Sequence, residues 1–139
     1  MLRKLVGRGI CATVGAFAIA VSFGAVFAAD KDVPSIHDIM EDGHSGKKSL
    51  FKKIETAVGT EKWADAAAPS AKLKAFGVAL GKNKPEKGSE TSWKALAAKY
   101  AKNTAAIAVA VEKKDKTAAD AAIGAMKKSC KECHDAHQP

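Results

Sequence analysis

The chain has 139 residues, of which 23 are basic and 15 acidic, and its formal net charge is +8. This length suits a single domain. Every basic residue after position 28 is a lysine. Nucleic-acid surfaces favour clustered arginine with stacking aromatic residues, so the composition argues against a nucleic-acid partner. Because the sequence shows no paired carboxylates, nucleophile constellation or nucleotide-binding loop, we predict that the protein is not an enzyme.

Residues 1–28 have the pattern of a secretory signal peptide. Three basic residues precede the apolar run ICATVGAFAIAVSFGAVFA, and Val26 and Ala28 occupy the positions that signal peptidase reads. Cleavage after about Ala28 removes three of the 23 basic residues and none of the 15 acidic ones, which leaves a net charge of +5 on residues 29–139. The alternative is an uncleaved anchor, because the run approaches the ~20 residues that cross a bilayer. We predict cleavage, export and no membrane association thereafter.

Apolar residues recur with helical spacing four times after the signal peptide. The predicted segments run from about 34 to 58, 60 to 82, 89 to 113 and 117 to 137. The stretch EDGHSG (41–46) is expected to bend or break the first segment, since it holds two glycines. Four amphipathic helices with short loops predict an all-α fold, an antiparallel four-helix bundle over residues 29–139.

The apolar side chains of this predicted bundle are small. Residues 29–139 include 23 alanines but four leucines and five large aromatic residues. Native cores pack densely with few voids, so helices faced with alanine either approach closely or leave room for something large and flat. We expect a bound cofactor to supply the missing apolar volume near the C-terminal end.

The last eleven residues, SCKECHDAHQP, contain the pattern C-x-x-C-H. On a helix, Cys130, Cys133 and His134 project within about 100° of arc. Two thiols can then add to the two vinyl groups of one porphyrin, while the adjacent imidazole reaches the iron from the same side. C-x-x-C-H is the signature of covalent c-type haem attachment, which takes place outside the cytoplasm and so agrees with the predicted export.

Two haemless interpretations compete with haem attachment. A redox C-x-x-C of the thioredoxin type belongs at the start of a helix that follows a strand, and the sequence shows no strand pattern. A structural zinc site takes four ligands, and Cys130, Cys133, His134 and His137 would crowd one helix. We therefore predict a covalent haem.

A four-helix bundle with C-x-x-C-H in its last helix resembles the class II c-type cytochromes, the cytochrome c′ and low-spin cytochrome c-556 family. The resemblance covers residues 29–139 and is most specific at SCKECH and then at DIMEDG. It implies one covalently attached haem c per chain, with Cys130 and Cys133 as thioether anchors and His134 as the proximal iron ligand. It also implies a periplasmic location, periplasmic redox partner proteins and, by analogy alone, a homodimer formed through the first two helices.

The residue opposite His134 decides between two functions. The resemblance places a methionine there in low-spin members and an apolar residue in cytochromes c′, and Met40 matches this position. His44 lies one helical turn later and is the alternative ligand. With Met40 bound, the haem is six-coordinate and the protein is a one-electron carrier. If Met40 only fills the core, the open site binds nitric oxide or carbon monoxide.

Three further residues have predicted positions. His37 is expected on the surface at a helix start. His137 either meets a haem propionate or frays at the end of the last helix, and fraying is the preferred prediction. Lys47 is expected on the inward side of the first helix, where it can reach a propionate. Family members often carry an aromatic residue and an arginine after the motif, whereas this chain has DAHQP.

Overall fold

A computed structural model of the protein describes residues 33–138, so the predicted signal peptide lies outside the described residues. The helices are α1 (Ile36–His44), α2 (Leu50–Gly59), α3 (Trp63–Leu80), α4 (Glu90–Glu112) and α5 (Lys116–His137). Residues 33–138 contain no β-strand, which confirms the predicted all-α class for this part of the chain. None of these five helices has both the length and the apolar character needed to span a bilayer.

The predicted first helix is two helices, so the prediction of four helices was one short. Helix α1 starts with a capping box, in which Ser35 Oγ accepts from the Asp38 amide and the Asp38 carboxylate accepts from the Ser35 amide. It ends at His44, and Gly46 follows with a positive φ of 73°. Ser49 then caps α2 through its side chain. Gly46, in the left-handed conformation, lies between Ser45 at the end of α1 and the Ser49 cap of α2. It therefore separates two helices where the sequence analysis allowed either a bend or a break.

Helices α2 to α5 each pack on the next, and the last of them contacts the first. α2 packs on α3, α3 on α4, α4 on α5, and α5 makes a smaller contact back to α2. Helix α1 is additional and lies against α2 and α3. This arrangement is consistent with a helical bundle. Its core is built from fully buried side chains on every helix, among them Ile39, Ile54, Leu73, Ile107 and Met126.

Helices α3 and α4 approach each other closely at Gly77. A Cβ atom at this position would lie 2.1 Å from Thr104 Oγ1 and 3.0 Å from the Ala101 Cα atom. Thr104 is fully buried, and its hydroxyl donates to the Ala101 carbonyl at 2.9 Å, so it has little freedom to move away. The contact therefore requires a residue without a side chain. This is the close approach that the alanine-rich composition allowed.

We expect Gly77→Ala to lower the free energy of unfolding by roughly 2–3 kcal/mol, because the added methyl overpacks the contact with α4. Gly124→Ala is the matched control, since Gly124 also lies inside a helix but has no neighbour within 4 Å of its Cβ position. This control should stabilise the protein by about 0.5–1 kcal/mol through helix propensity. Urea unfolding of both variants measures the difference, and equal changes would contradict a close contact at Gly77.

Candidate haem site

A cavity of about 60 Å³ lies where the end of α5 faces α1, α3 and α4. Its lining includes the two thiols and the histidine of the motif together with both distal candidates: Met40, His44, Cys130, Cys133 and His134. Leu80, Leu96 and Tyr100 complete much of the wall. The structure thus brings together the two predicted haem anchors, the predicted proximal ligand and both candidate distal ligands.

A second cavity, of about 370 Å³, opens beside the first. Met40, Cys133 and His134 line both cavities, so the two spaces meet at these three side chains. The remaining wall of the larger cavity includes Ile36 of α1 and Trp93 of α4. Both cavities therefore border the predicted proximal ligand and the predicted distal methionine, at the end of the molecule where the sequence is short of apolar volume.

Both thiols are half-buried and free, and neither has the character of a redox thiolate. Burial raises the pKa of Cys130, whose thiol donates to the Met126 carbonyl at 3.3 Å. Burial also raises the pKa of Cys133, with smaller contributions from the charges of Cys130 and Glu132. Reactive redox cysteines have lowered pKa values instead. These environments do not favour a redox dithiol.

His44, the last residue of α1, is held by aromatic neighbours. Its Nε2 atom lies 2.8 Å from the Tyr100 hydroxyl. The imidazole ring packs on Phe51 with ring centres 5.5 Å apart and meets Tyr100 edge-on at 5.6 Å. Burial lowers the pKa of His44, and the charge of His134 lowers it further, so both effects favour the neutral ring. The contact between His44 and Tyr100 could not be predicted from local sequence patterns, because 56 residues separate them.

His137 is buried, and the prediction of a frayed histidine was wrong. Its Nδ1 donates to the Lys87 carbonyl at 2.7 Å, so in the neutral ring Nε2 accepts from the Ser92 hydroxyl at 3.1 Å. The ring also packs edge-on against Trp93, with centres 5.3 Å apart. We call these contacts of His137 with Lys87, Ser92 and Trp93 the α5 latch. It ties the last turn of α5 to the segment that begins α4.

Gly88 makes room for the α5 latch. Its φ is +85°, and a Cβ atom would lie 2.6 Å from both the Ala136 carbonyl oxygen and His137 Nδ1. A glycine directly before the Ser89 cap of α4 was the one signal in the sequence for this junction.

The position of α1, and with it Met40, depends on contacts at both of its ends. At the start, the Asn83 amide donates to the Pro34 carbonyl at 3.2 Å, while the Trp93 indole donates to the Asn83 carbonyl at 2.8 Å. Towards the end, Asp42 forms an ion pair with Lys72 of α3 at 3.2 Å. Helix α1 is therefore tied to α3, α4 and the loop between them.

The side chains around the cavities fit a haem c. Two thiols and one imidazole on adjacent turns of α5 face a thioether and a second imidazole on α1, and apolar walls complete the site. The zinc interpretation fits less well, because both ring nitrogens of His137 are occupied within the α5 latch. Within residues 33–138, no three His, Cys, Asp or Glu side chains are grouped so that they could hold a metal ion.

Two predictions about residues near the site had different outcomes. His37 is exposed, as predicted, and pairs with Glu41 at 3.1 Å. Lys47 was predicted on the inward side of a helix, but it is exposed in the loop between α1 and α2 because the helix ends at His44.

Residues 33–138 contain helices and no strand, with C-x-x-C-H near the end of α5, as the resemblance to class II c-type cytochromes predicts. Residues 88–138 match the model of the family described as Cytochrome C′. This part of the chain, α4 and α5 with the turn before them, is similar to the cytochrome c′ family of class II c-type cytochromes. The match supports a covalently bound haem c and a role as an electron carrier or gas binder.

The matched residues include Cys130, Cys133 and His134 but not α1. The match therefore leaves the choice between Met40 and His44 to the structure. A search of curated proteins found no match. A search of solved structures found none either.

We expect His137→Ala to lower the free energy of unfolding by roughly 2–3 kcal/mol, because it removes two hydrogen bonds and the packing on Trp93. The matched control is His37→Ala, which removes an exposed histidine with a single surface ion pair and should change little. Denaturant unfolding followed by circular dichroism compares the two. A His137→Ala protein as stable as the control would show that the α5 latch contributes nothing.

Proposed function

We propose that the protein is a monohaem c-type cytochrome that carries one electron, with His134 and Met40 as the two axial iron ligands. The observation that supports this most strongly is that Met40, Cys133 and His134 line both cavities, where the two spaces meet. When bound, the haem supplies one-electron exchange between ferric and ferrous iron.

The chain's own residues have separate tasks in this proposal. Cys130 and Cys133 hold the cofactor covalently to α5, and the α5 latch keeps that turn of helix in place. His134 and Met40 provide the two axial donors from different helices. A thioether ligand favours the reduced iron and raises the reduction potential. Leu80 and Leu96 exclude water from the wall of the smaller cavity.

The proposal extends to location and partners. Haem attachment takes place outside the cytoplasm, so we place the protein in the periplasm after removal of residues 1–28. The charge of +5 on residues 29–139 suits brief, salt-sensitive encounters with acidic redox proteins. Dimerisation through the first helices remains a family analogy.

The second candidate function is gas binding at an open distal site. The family match favours it as much as electron transfer. The smaller cavity adds to this, because its walls of Leu80, Leu96 and Tyr100 are suited to a small apolar ligand such as carbon monoxide. Ligation by Met40 excludes this function, so one set of spectra separates the two.

We expect Met40→Ala to abolish the weak far-red absorption band that arises from a sulfur-to-iron bond, and to let the ferrous protein bind carbon monoxide. Visible spectra of the oxidised and reduced protein, with and without carbon monoxide, measure both effects. Met126→Leu is the matched control, because Met126 is fully buried in α5 and this exchange conserves volume. If the unmodified protein is high-spin and binds carbon monoxide, the gas-binding function replaces the electron carrier.

We expect Cys130→Ser and Cys133→Ser each to retain haem through a single thioether, and the double variant to release its haem into acidified organic solvent. Mass spectrometry and the spectrum of the pyridine complex count the remaining thioether bonds. Cys11→Ser is the control, because Cys11 lies in the predicted signal peptide. Full retention of haem by the double variant would rule out attachment at these two residues.

A further inference from the structure

The site contains two donors for one distal position. Met40 and His44 lie one turn apart on α1, and both line the smaller cavity together with His134. Imidazole binds ferric haem well, so on chemical grounds His44 competes with the thioether. Some feature of the protein must decide between them.

Tyr100 engages the nitrogen that His44 would need. The Tyr100 hydroxyl is 2.8 Å from Nε2 of His44. If Nε2 carries the proton, it donates to the tyrosine oxygen and has no lone pair for a metal. If Nε2 is bare, its lone pair accepts from the tyrosine hydroxyl. In either tautomer this nitrogen is occupied.

The partner in this hydrogen bond is itself fixed. Tyr100 lies in the middle of α4 and is only 9% exposed. The His44 ring lies between Phe51 and Tyr100, with ring centres 5.5 and 5.6 Å away. Gly43, one residue before His44, is also close to Tyr100, since a Cβ atom at Gly43 would lie 3.9 Å from the tyrosine hydroxyl oxygen. His44 is therefore held by a buried neighbour, whereas no hydrogen bond to the Met40 sulfur is found within residues 33–138.

We propose that Tyr100 is a positioning residue that selects Met40 as the distal ligand by holding His44 in a hydrogen bond. This inference rests on the proposed function, in which a haem with a methionine ligand occupies the site. Exchange of a thioether ligand for an imidazole lowers the reduction potential of the haem. The Tyr100 hydroxyl would therefore influence the potential without contacting the iron, because it decides which of the two side chains binds.

The test uses the full chain, exported and loaded with haem, with Tyr100→Phe as the first variant. Removing the hydroxyl frees Nε2, so we expect loss of the far-red sulfur-to-iron band, a low-spin spectrum of the bis-imidazole type and a shift to lower potential. In Tyr100→Phe/His44→Ala the competing imidazole is gone, and the band should return. Ser70→Ala is the matched control, since it also removes a buried hydroxyl bonded inside the protein.

A second measurement does not depend on any substitution. The nitrogen NMR shifts of His44 in the reduced, diamagnetic protein should report a hydrogen-bonded Nε2 rather than a metal-bound one. If Tyr100→Phe keeps the band, or if the double variant fails to restore it, Tyr100 does not select the ligand, although Met40 ligation stands. If the unmodified protein lacks the band, both the selection and the proposed function are overturned.

Discussion

The proposed haem site depends on how firmly the last turns of α5 are held. The ends of isolated helices fray, because their terminal carbonyls lack partners, yet here the terminal turns carry both thiols and the predicted proximal histidine. The α5 latch holds these turns in place, because both ring nitrogens of His137 are hydrogen-bonded, one to Lys87 just before α4 and the other to Ser92 in its first turn. Gly88 allows the two segments to approach closely. A motif at a helix end can therefore be as rigid as one in its middle.

The two sides of the site are built differently. The proximal side lies on α5, which packs along α4 and is secured by the α5 latch. The proposed distal side lies on α1, a helix of nine residues held by the buried Ile39 side chain and by a few polar contacts at its ends. Covalent attachment suits the first side, and a ligand chosen by hydrogen bonding suits the second. The part of the chain that matches the cytochrome c′ family contains only the proximal side.

Local sequence patterns predicted those features that depend only on residues close together in the chain, namely the haem-attachment motif and the positions of most helices. C-x-x-C-H identified Cys130, Cys133 and His134, since a covalent motif needs only the geometry of one helix. The apolar periods located α3, α4 and α5 to within a few residues. The break after His44 was harder to predict, because it depends on the left-handed conformation of Gly46. A glycine in a sequence permits that conformation but does not require it.

Contacts between distant residues could not be predicted in this way. The hydrogen bond between His44 and Tyr100 and the α5 latch join residues 45 to 56 positions apart, and each depends on how helices pack. Packing against α4 also explains why His137 is buried, whereas the sequence analysis expected it to fray at the end of α5. The sequence therefore supplied the candidate site residues, which the structure places around one cavity, whereas the contacts that hold their helices required the fold.

The small size of α1 has a consequence for the order in which the protein opens. Proteins unfold locally in cooperative units, and the unit with the least buried contact opens first. Helix α1 is separated from α2 by its own loop and makes less contact with the rest of the bundle than any other helix does. We therefore expect α1 to detach before the other helices separate, with the Gly46 loop as the pivot. Detachment of α1 would expose the distal side of the proposed site to solvent while α3, α4 and α5 stay packed together.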